Sequence, residues 1–258
     1  MSDVGRVRPH NEDAAFLGPY VAVLADGVGG AAAGEVAAAT AAYVVAATAL
    51  ARFGEDPVQV LLRGVEDAHL SVRVGVAVDP ERTGMATTLT ALVTDGRRVV
   101  LGHVGDSRAY LLHDGELRQL SHDHTYVQHL VDSGQLDEDA RAGHPWSNVV
   151  LRSLDGGPDP SLDVTELHLE VGDRVLLCSD GLTDLVPDQE ISEALVTVAD
   201  PDVAAGVLVY AALAAGGRDN VTCLVLDVVD GPVVVGDGTV LGALVDPANL
   251  VDPTSVRV

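Results

Sequence analysis

The chain contains no lysine, so all 15 of its basic residues are arginines, set against 39 aspartates and glutamates. With a formal net charge of −24, it has no basic stripe for a phosphate backbone, which argues against nucleic acid as a partner. An anionic membrane surface would also repel it. An acidic surface is ordinary for a soluble protein, but it also attracts divalent cations and basic protein segments.

Cysteines and long apolar runs are scarce as well. Cys178 and Cys223 each lie inside an apolar stretch, so we predict buried free thiols in a reducing compartment and no disulfide framework. No apolar run approaches the ~20 residues of a spanning helix, and the alanine-rich stretch 36–50 predicts a core helix. Because the start also lacks a signal-peptide pattern, we expect a cytoplasmic protein.

The 258 residues, 47% of them apolar, are enough to bury a full core and fit one large domain better than two. We assign this domain to residues 1–230. The remaining residues, 231–258, form a valine-, aspartate- and glycine-rich extension. Its apolar runs 233–235 and 239–241 predict one hairpin, and a flexible tail is the alternative.

Short apolar runs bounded by turn residues predict antiparallel strands. Residues 20–25 indicate a buried strand, and later strands are expected at 161–169, 173–178 and 221–228. Four runs between these, at 87–94, 98–103, 108–113 and 116–120, are separated by Asp-Gly or Asp-Ser pairs. Such pairs are typical of hairpins, so we predict an antiparallel meander.

Helical patterns occur in pairs between the groups of strands, at 31–53 and 56–76, then at 188–196 and 201–214, with a further helix at 122–134. This order favours an α+β protein, a four-layer α-β-β-α sandwich of two antiparallel sheets flanked by pairs of helices, over a parallel doubly wound sheet. Residues 135–160 are interrupted by proline and glycine and predict a flap.

Four apolar runs end on an aspartate followed by glycine, serine or asparagine, at Asp26, Asp106, Asp180 and Asp219. Carboxylates are the ligands that hard divalent cations prefer, and four of them close together would repel one another without cations between them. An aspartate in such a turn is usually a cap or turn residue, and we interpret Asp95 and Asp114 in that way. The sequence therefore predicts a metal site if the fold brings the four together.

Six segments follow one another in an order known from one enzyme family: 2–13 (SDVGRVRPHNED), 25–30 (ADGVGG) with 33–35 (AGE), 84–88 (GMATT), 102–110 (GHVGDSRAY), 177–184 (LCSDGLTD) and 217–222 (GRDNVT). Together they closely resemble the metal-dependent type 2C (PPM) protein serine/threonine phosphatases, in their bacterial branch. The resemblance spans residues 2 to about 228. It implies hydrolysis of phosphoserine and phosphothreonine by in-line attack of a hydroxide that bridges two Mn²⁺ or Mg²⁺ ions.

The resemblance also implies the role of each ligand. Asp26 bridges the two ions and the Gly27 carbonyl completes one site, whereas Asp180 and Asp219 bind the second ion. Glu12 and Asp13 hold metal-bound waters. A third, weaker ion lies between Asp106 and Asp180, and some relatives add a flap carbonyl, which here falls near Asn148.

Arg8 is the candidate phosphate clamp, because its planar fork matches two phosphate oxygens; a surface ion pair is the alternative. The chain departs from the family at Val28, where many eukaryotic relatives carry a histidine proposed as proton donor, and at Ala86, usually a glycine. Relatives also carry a strand before the first motif. We therefore expect either a missing edge strand or a chain that begins upstream.

The nine histidines allow a second metal reading, but the spacing of His122 and His124 puts them on different faces of a helix. We interpret these two as a solvated helix start and His103 as a satisfied core histidine. The expected partners are phosphorylated proteins, including serine/threonine kinases and their substrates, and we expect a monomer. The competing hypothesis is a catalytically weak or silent regulatory binding module.

Overall fold

The computed structural model describes residues 1–28, 33–141, 143–231 and 236–252. Two antiparallel sheets lie face to face, and a pair of long helices covers the outer face of each. The predicted four-layer α-β-β-α sandwich is thereby confirmed. Gly29 and Gly30 of the second motif lie outside the described residues.

One sheet contains β2 (Asp13–Leu17), β3 (Val21–Val28), β5 (Leu89–Thr94), β6 (Val99–Val104), β9 (Asp163–Leu167) and β12 (Thr239–Gly242), with the short β4 (Ala86–Thr87) paired to the end of β3. Its strand order is β12-β2-β3-β5-β6-β9. The other sheet contains β1 (Ser2–Asp3), β7 (Arg108–His113), β8 (Glu116–Gln119), β10 (Arg174–Cys178) and β11 (Val221–Asp227). Its order is β1-β11-β10-β7-β8.

Helices α1 (Gly34–Ala51) and α2 (Pro57–Val78) cover the first sheet, and α5 (Asp188–Thr197) and α6 (Pro201–Ala214) cover the second. Helix α2 begins where predicted, since the Asp56 carboxylate accepts hydrogen bonds from the N–H groups of Val58 and Gln59. By length and composition α1 could cross a membrane, but it packs on β3 and α2 with most of its residues buried. It is the core helix that the sequence predicted.

Alternation along the central strands separates the three apolar layers. In β3, Leu24 points between the sheets whereas Val23 and Ala25 point to the α1 side. In β10, Leu177 points between the sheets and Cys178 points toward the layer of α5 and α6. Cys178 lies opposite Cys223 on β11, and both are buried free thiols, as predicted.

The predicted meander is wrong at one turn. Strand β6 pairs with β5 and β9, whereas β7 pairs with β8 and β10 in the other sheet. The chain crosses between the sheets at Gly105, whose φ of +112° and contact with Thr88, 2.5 Å from the position of a Cβ, require glycine. What reads as a hairpin turn therefore carries Asp106 to the end of both sheets.

Two smaller predictions concern the helix after β8 and the C-terminal extension. The helix expected over 122–134 is the shorter α3 (Tyr126–Asp132), because the Thr125 hydroxyl caps it by accepting from the N–H of Gln128. Of the hairpin expected in the extension, residues 233–235 lie outside the described residues, and Thr239–Gly242 pairs with β2. At the other end of the chain, Ser2 and Asp3 form the edge strand β1, which pairs with β11.

Candidate metal centre

The candidate ligands gather where strands of both sheets end. Asp13 begins β2 and lies directly opposite Asp26 near the end of β3. Asp180 follows β10 as the first residue of the short helix α4 (Asp180–Thr183), and Asp219 precedes β11. The face-to-face packing of the sheets thus brings together carboxylates that are almost two hundred residues apart in sequence.

Asp26 is held by its backbone. Its N–H donates to the Thr88 hydroxyl at 3.0 Å, and its carbonyl accepts from the Thr88 N–H at 2.8 Å and the Thr87 hydroxyl at 2.9 Å. Both threonines belong to the GMATT motif. Ala86 of that motif lies in β4 opposite Val28, in extended backbone that tolerates its methyl group.

Asp13 is fully buried, and its two carboxylate oxygens differ. Oδ2 accepts from the Ser179 hydroxyl at 2.8 Å, whereas Oδ1 has no hydrogen-bond partner. Burial raises the pKa of Asp13 to about 6, although the hydrogen bond from Ser179 opposes the rise. A buried carboxylate oxygen without a partner is costly unless a water or cation meets it.

The neighbouring carboxylates perturb one another. Burial raises the pKa of Asp26 well above its ordinary range, and the charges of Asp13 and Asp180 raise it further. Burial also raises the pKa of Asp180 well above the ordinary range, followed by the charges of Asp106 and Asp184. Asp106 reaches a pKa of about 7, from burial first and then from the charges of Asp123 and Asp184. The cluster thus carries more negative charge than its surroundings balance, which favours cation binding.

Asp219 faces the candidate clamp. Arg8 Nη2 donates to Asp219 Oδ2 at 2.7 Å, and the side chains are 42% and 32% exposed. This hydrogen bond raises the pKa of Arg8 above its ordinary value. Within the described ranges, no three histidine, cysteine, aspartate or glutamate side chains converge at metal-ligand distances.

Asn220 is a positioning residue that the sequence reasoning did not single out. Its Oδ1 accepts from the Glu12 N–H at 2.7 Å, and its Nδ2 donates to the carbonyls of Val4 and His10 at 2.9 Å each. One buried amide therefore fixes the segment that carries Arg8 and Glu12. The available signal was its place in the Asp-Asn pair directly before a buried strand.

Three glycines allow backbones to approach closely at the site. A Cβ on Gly27 would lie 2.5 Å from the carbonyl carbon of Gly34, and one on Gly181 would lie 1.9 Å from the Asn220 carbonyl oxygen. A Cβ on Gly34 would lie 3.2 Å from the Glu12 carboxylate. The start of α1 is thus pressed against this corner. Burial and then the charge of Glu35 raise the pKa of Glu12.

A cavity of about 640 Å³ opens beside the cluster. Asp106, Asp180 and Asp219 line one wall together with Asp184. The predicted flap also contributes to the lining, including the candidate residue Asn148. Asp13, Asp26, Glu12 and Arg8 are not among the residues that line the cavity.

The histidines take other roles. His103 is the predicted core histidine, 3.0 Å from the Thr90 hydroxyl and 3.1 Å from the His122 carbonyl. The prediction of a solvated helix start is wrong for His124, which is buried, lies before α3 and accepts from the Gly105 N–H through Nδ1 at 3.1 Å. His122 is exposed and pairs with Asp132 at 2.8 Å.

The α-β-β-α architecture and the aspartates at its strand ends define a class of proteins with a carboxylate-lined cleft between two sheets. The sequence profile of the family described as "Protein phosphatase 2C" matches residues 10–208. The chain therefore belongs to the protein phosphatase 2C family.

Its relatives are bacterial. The chain is 44% identical over 232 residues to the serine/threonine protein phosphatase PstP of Mycobacterium tuberculosis, covering 89% of this chain and 44% of PstP. It is 33% identical to the serine/threonine phosphatase stp of Listeria monocytogenes, covering 88% of this chain and 93% of that protein. The chain thus spans less than half the length of PstP and nearly all of stp.

Solved structures agree with the fold. The crystal structure of M. tuberculosis PstP superposes with a TM-score of 0.81 at 41% identity, covering 89% of this chain and 97% of that one. A second structure, of the PstP catalytic domain in complex with two manganese ions, gives 0.81 at 42% identity and covers 89% of this chain and 96% of that one.

Proposed function

We propose that this chain is a metal-dependent protein phosphatase that hydrolyses phosphoserine and phosphothreonine monoesters. The observation that carries the proposal is the grouping of Asp13, Asp26, Asp106, Asp180 and Asp219 at the ends of strands from both sheets, where burial and the charges of neighbouring carboxylates raise the pKa values of the first four. The manganese-bound PstP structure supports the same reading. We assign the catalytic domain to residues 1–230 and treat 231–258 as an extension.

The residues present fit divalent cations. The partnerless Oδ1 of Asp13 and the uncompensated charge of its neighbours are what an oxygen-ligand site needs. We propose Asp26 as the bridging ligand with the Gly27 carbonyl, Asp180 and Asp219 as ligands of the second ion, and Asp106 with Asp180 as a third site. Glu12 and Asp13 would act through waters. Mn²⁺ or Mg²⁺ is the expected cofactor.

When bound, a pair of such ions supplies a water activated for attack and neutralises the phosphoryl oxygens. The guanidinium of Arg8 pairs with Asp219 and is partly exposed, so its planar fork can bind two phosphate oxygens. Asn220 keeps the Arg8 segment in place. Val28 cannot donate a proton, so a water must protonate the leaving group or the leaving group must depart unprotonated.

The proposed substrates are phosphorylated proteins, among them serine/threonine kinases and the proteins they modify. We further propose a monomer in the cytoplasm, an environment that suits the free buried thiols Cys178 and Cys223. A silent regulatory module is not favoured, because every aspartate that the family motifs require is present.

The test is hydrolysis of para-nitrophenyl phosphate and of a phosphothreonine peptide with Mn²⁺, with Mg²⁺ and with chelator. The proposal expects turnover with metal only, and its loss in both Asp26→Asn and Asp180→Asn. Activity that survives chelation or either substitution would rule out the two-metal mechanism. A native chain that binds two ions without turnover would favour the regulatory module.

A further inference from the structure

A further buried acid, which is not one of the candidate ligands, also lines the cavity. Asp123, between β8 and α3, has a side chain that is only 3% exposed. Arg108 on β7 donates hydrogen bonds to this carboxylate from Nε, 3.0 Å from both oxygens, and from Nη2, 2.7 Å from Oδ2. Gln119 Nε2 adds a donor at 2.9 Å. Asp123 is therefore already neutralised and hydrogen-bonded by its own sheet.

A second arginine, from the flap, donates to the same carboxylate. Arg141, in the flap, donates from Nη2 to Asp123 Oδ2, and its Nη1 lies 3.3 Å from Glu138 Oε1. Its side chain is 20% exposed. Arg108 already balances the charge of Asp123, so Arg141 is not needed to neutralise this carboxylate. What it adds is a connection between the flap and the sheet.

That connection belongs to one part of the flap, the cavity loop (residues 137–148). Among the described residues of the cavity loop, Arg141 is the only one whose side chain makes a hydrogen bond or ion pair to a residue outside the loop. The backbone is anchored directly after the loop, where the Val149 carbonyl accepts from the Tyr126 N–H at 2.8 Å. Most of the other hydrogen bonds of the cavity loop join residues within it, such as those from the His144 N–H to the Arg141 carbonyl and from the Ser147 N–H to the His144 carbonyl. One ring contact, Tyr126 against Trp146 at 5.3 Å, is the other tie.

The cavity loop supplies one wall of the cavity. Glu138, Arg141, Gly143, Ser147 and Asn148 line the same cavity as Asp106, Asp180 and Asp219. Because Arg141 supplies the side-chain ion pair that ties the cavity loop to the sheet, breaking this pair should loosen the loop, and the width of the entrance should change with it.

We propose that Arg141 is a positioning residue for substrate. By pairing with Asp123, it holds the cavity loop against the sheet and sets the width of the opening through which a phosphorylated peptide reaches the aspartates. This role rests on the proposed phosphatase function as far as substrate is concerned. The placement of the loop does not depend on that function.

The chain offers its own probe, since Trp146 is its single tryptophan and belongs to the cavity loop. It also offers a matched control. Arg82 has a side chain 25% exposed and pairs with Asp79 at 3.4 Å, away from the cavity. The experiment compares Arg141→Gln, Arg141→Lys and Arg82→Gln with the native chain, after circular dichroism has established which variants are folded.

Two readouts follow. In Arg141→Gln the anisotropy of Trp146 emission should fall, and KM for a phosphothreonine peptide relative to KM for para-nitrophenyl phosphate should rise about fivefold. Arg141→Lys, which keeps one charged donor, should lie between Arg141→Gln and native. Arg82→Gln should match the native chain in both readouts. If Arg141→Gln does not fold, Arg141→Lys carries the test.

Native-like anisotropy and an unchanged KM ratio in both folded Arg141 variants, or in the lysine variant alone if only it folds, would overturn the proposal. So would equal changes in Arg82→Gln. A native chain without phosphatase activity would refute the proposed function instead, and the anisotropy would then still decide whether Arg141 positions the loop.

Discussion

A single buried acid, Asp123, and a cluster of five aspartates lie at or near the same cavity and are balanced in opposite ways. Asp123 receives two arginines and a glutamine, so its charge and its lone pairs are satisfied within the fold. The five strand-end aspartates share one arginine partner among the described residues, Arg8 on Asp219. Asp123 therefore holds structure together, whereas the charge of the five aspartates is left largely unpaired, as the proposed cation site requires.

The two groups also differ in how their parts are held. Asp13 and Asp26 sit on paired strands, and Asp26 is bonded through its backbone to Thr88. The cavity loop is held by one side-chain ion pair, Arg141 with Asp123, and by the ring contact of Trp146 with Tyr126. The candidate ligands Asp13 and Asp26 thus lie on rigid paired strands, whereas the cavity loop, which we expect to contact the substrate, is the part that can move.

The largest expected effect comes from removing a charge from the cation-binding group. Asp26→Asn should lower metal-dependent activity by at least about 100-fold, a loss typical of a removed electrostatic group at a reaction centre. The same variant should raise the Tm of the metal-free protein, because it relieves repulsion among buried carboxylates. Steady-state kinetics and calorimetry check both signs, and a fall in both activity and metal-free Tm would contradict the account.

A smaller loss is expected at the outlying member of that group. Asp106→Asn should lower activity about tenfold, because we assign Asp106 to a third site that tunes the reaction. The measurement is kcat/KM at saturating and at limiting Mn²⁺, with Asp114→Asn, an exposed turn aspartate, as control. A loss as large as that of Asp26→Asn would place Asp106 in the core of the site.

The tie between the N-terminal segment and β11 should matter mainly for stability. Asn220→Ala removes three hydrogen bonds from a buried amide and should lower the free energy of unfolding by about 2 kcal/mol. Asn220→Asp keeps an acceptor for the Glu12 N–H but aims oxygen at two carbonyls, so it should be no milder. Urea denaturation measures both, and a native-like midpoint for Asn220→Asp would show that these donors are dispensable.

The smallest effect is the pH dependence of the metal-free protein. Asp13 and Asp106 have folded pKa values of about 6 and about 7, above those of an unfolded aspartate. Between about pH 4 and 7 the folded state therefore binds more protons than the unfolded state, so stability falls as pH rises through this window. With chelator present, Tm should drop by about 3 °C across it, and Mn²⁺ should remove most of that drop. A metal-free Tm that rises over this range would contradict the uncompensated cluster.

Much of this site could be predicted from sequence because its chemistry lies in short motifs at strand ends. Asp26, Asp180 and Asp219 each follow or precede an apolar run that forms a strand, so their meeting depends on the layers alone. The crossing at Gly105 could not be predicted, because an Asp-Ser turn between two apolar runs looks the same whether the next strand pairs locally or joins another sheet. The link from Arg108 through Asp123 to Arg141 joins positions with no shared pattern, and only packing reveals it.

The central claim is that the strand-end aspartates form a divalent-cation site. Calorimetric titration of the chelator-treated chain with Mn²⁺ tests it most directly, with Asp26→Asn and the control Asp114→Asn alongside. The account predicts about two ions bound per native chain, the same number in Asp114→Asn, and fewer in Asp26→Asn. A native chain that binds no Mn²⁺, or an Asp26→Asn variant that binds it undiminished, would contradict the claim.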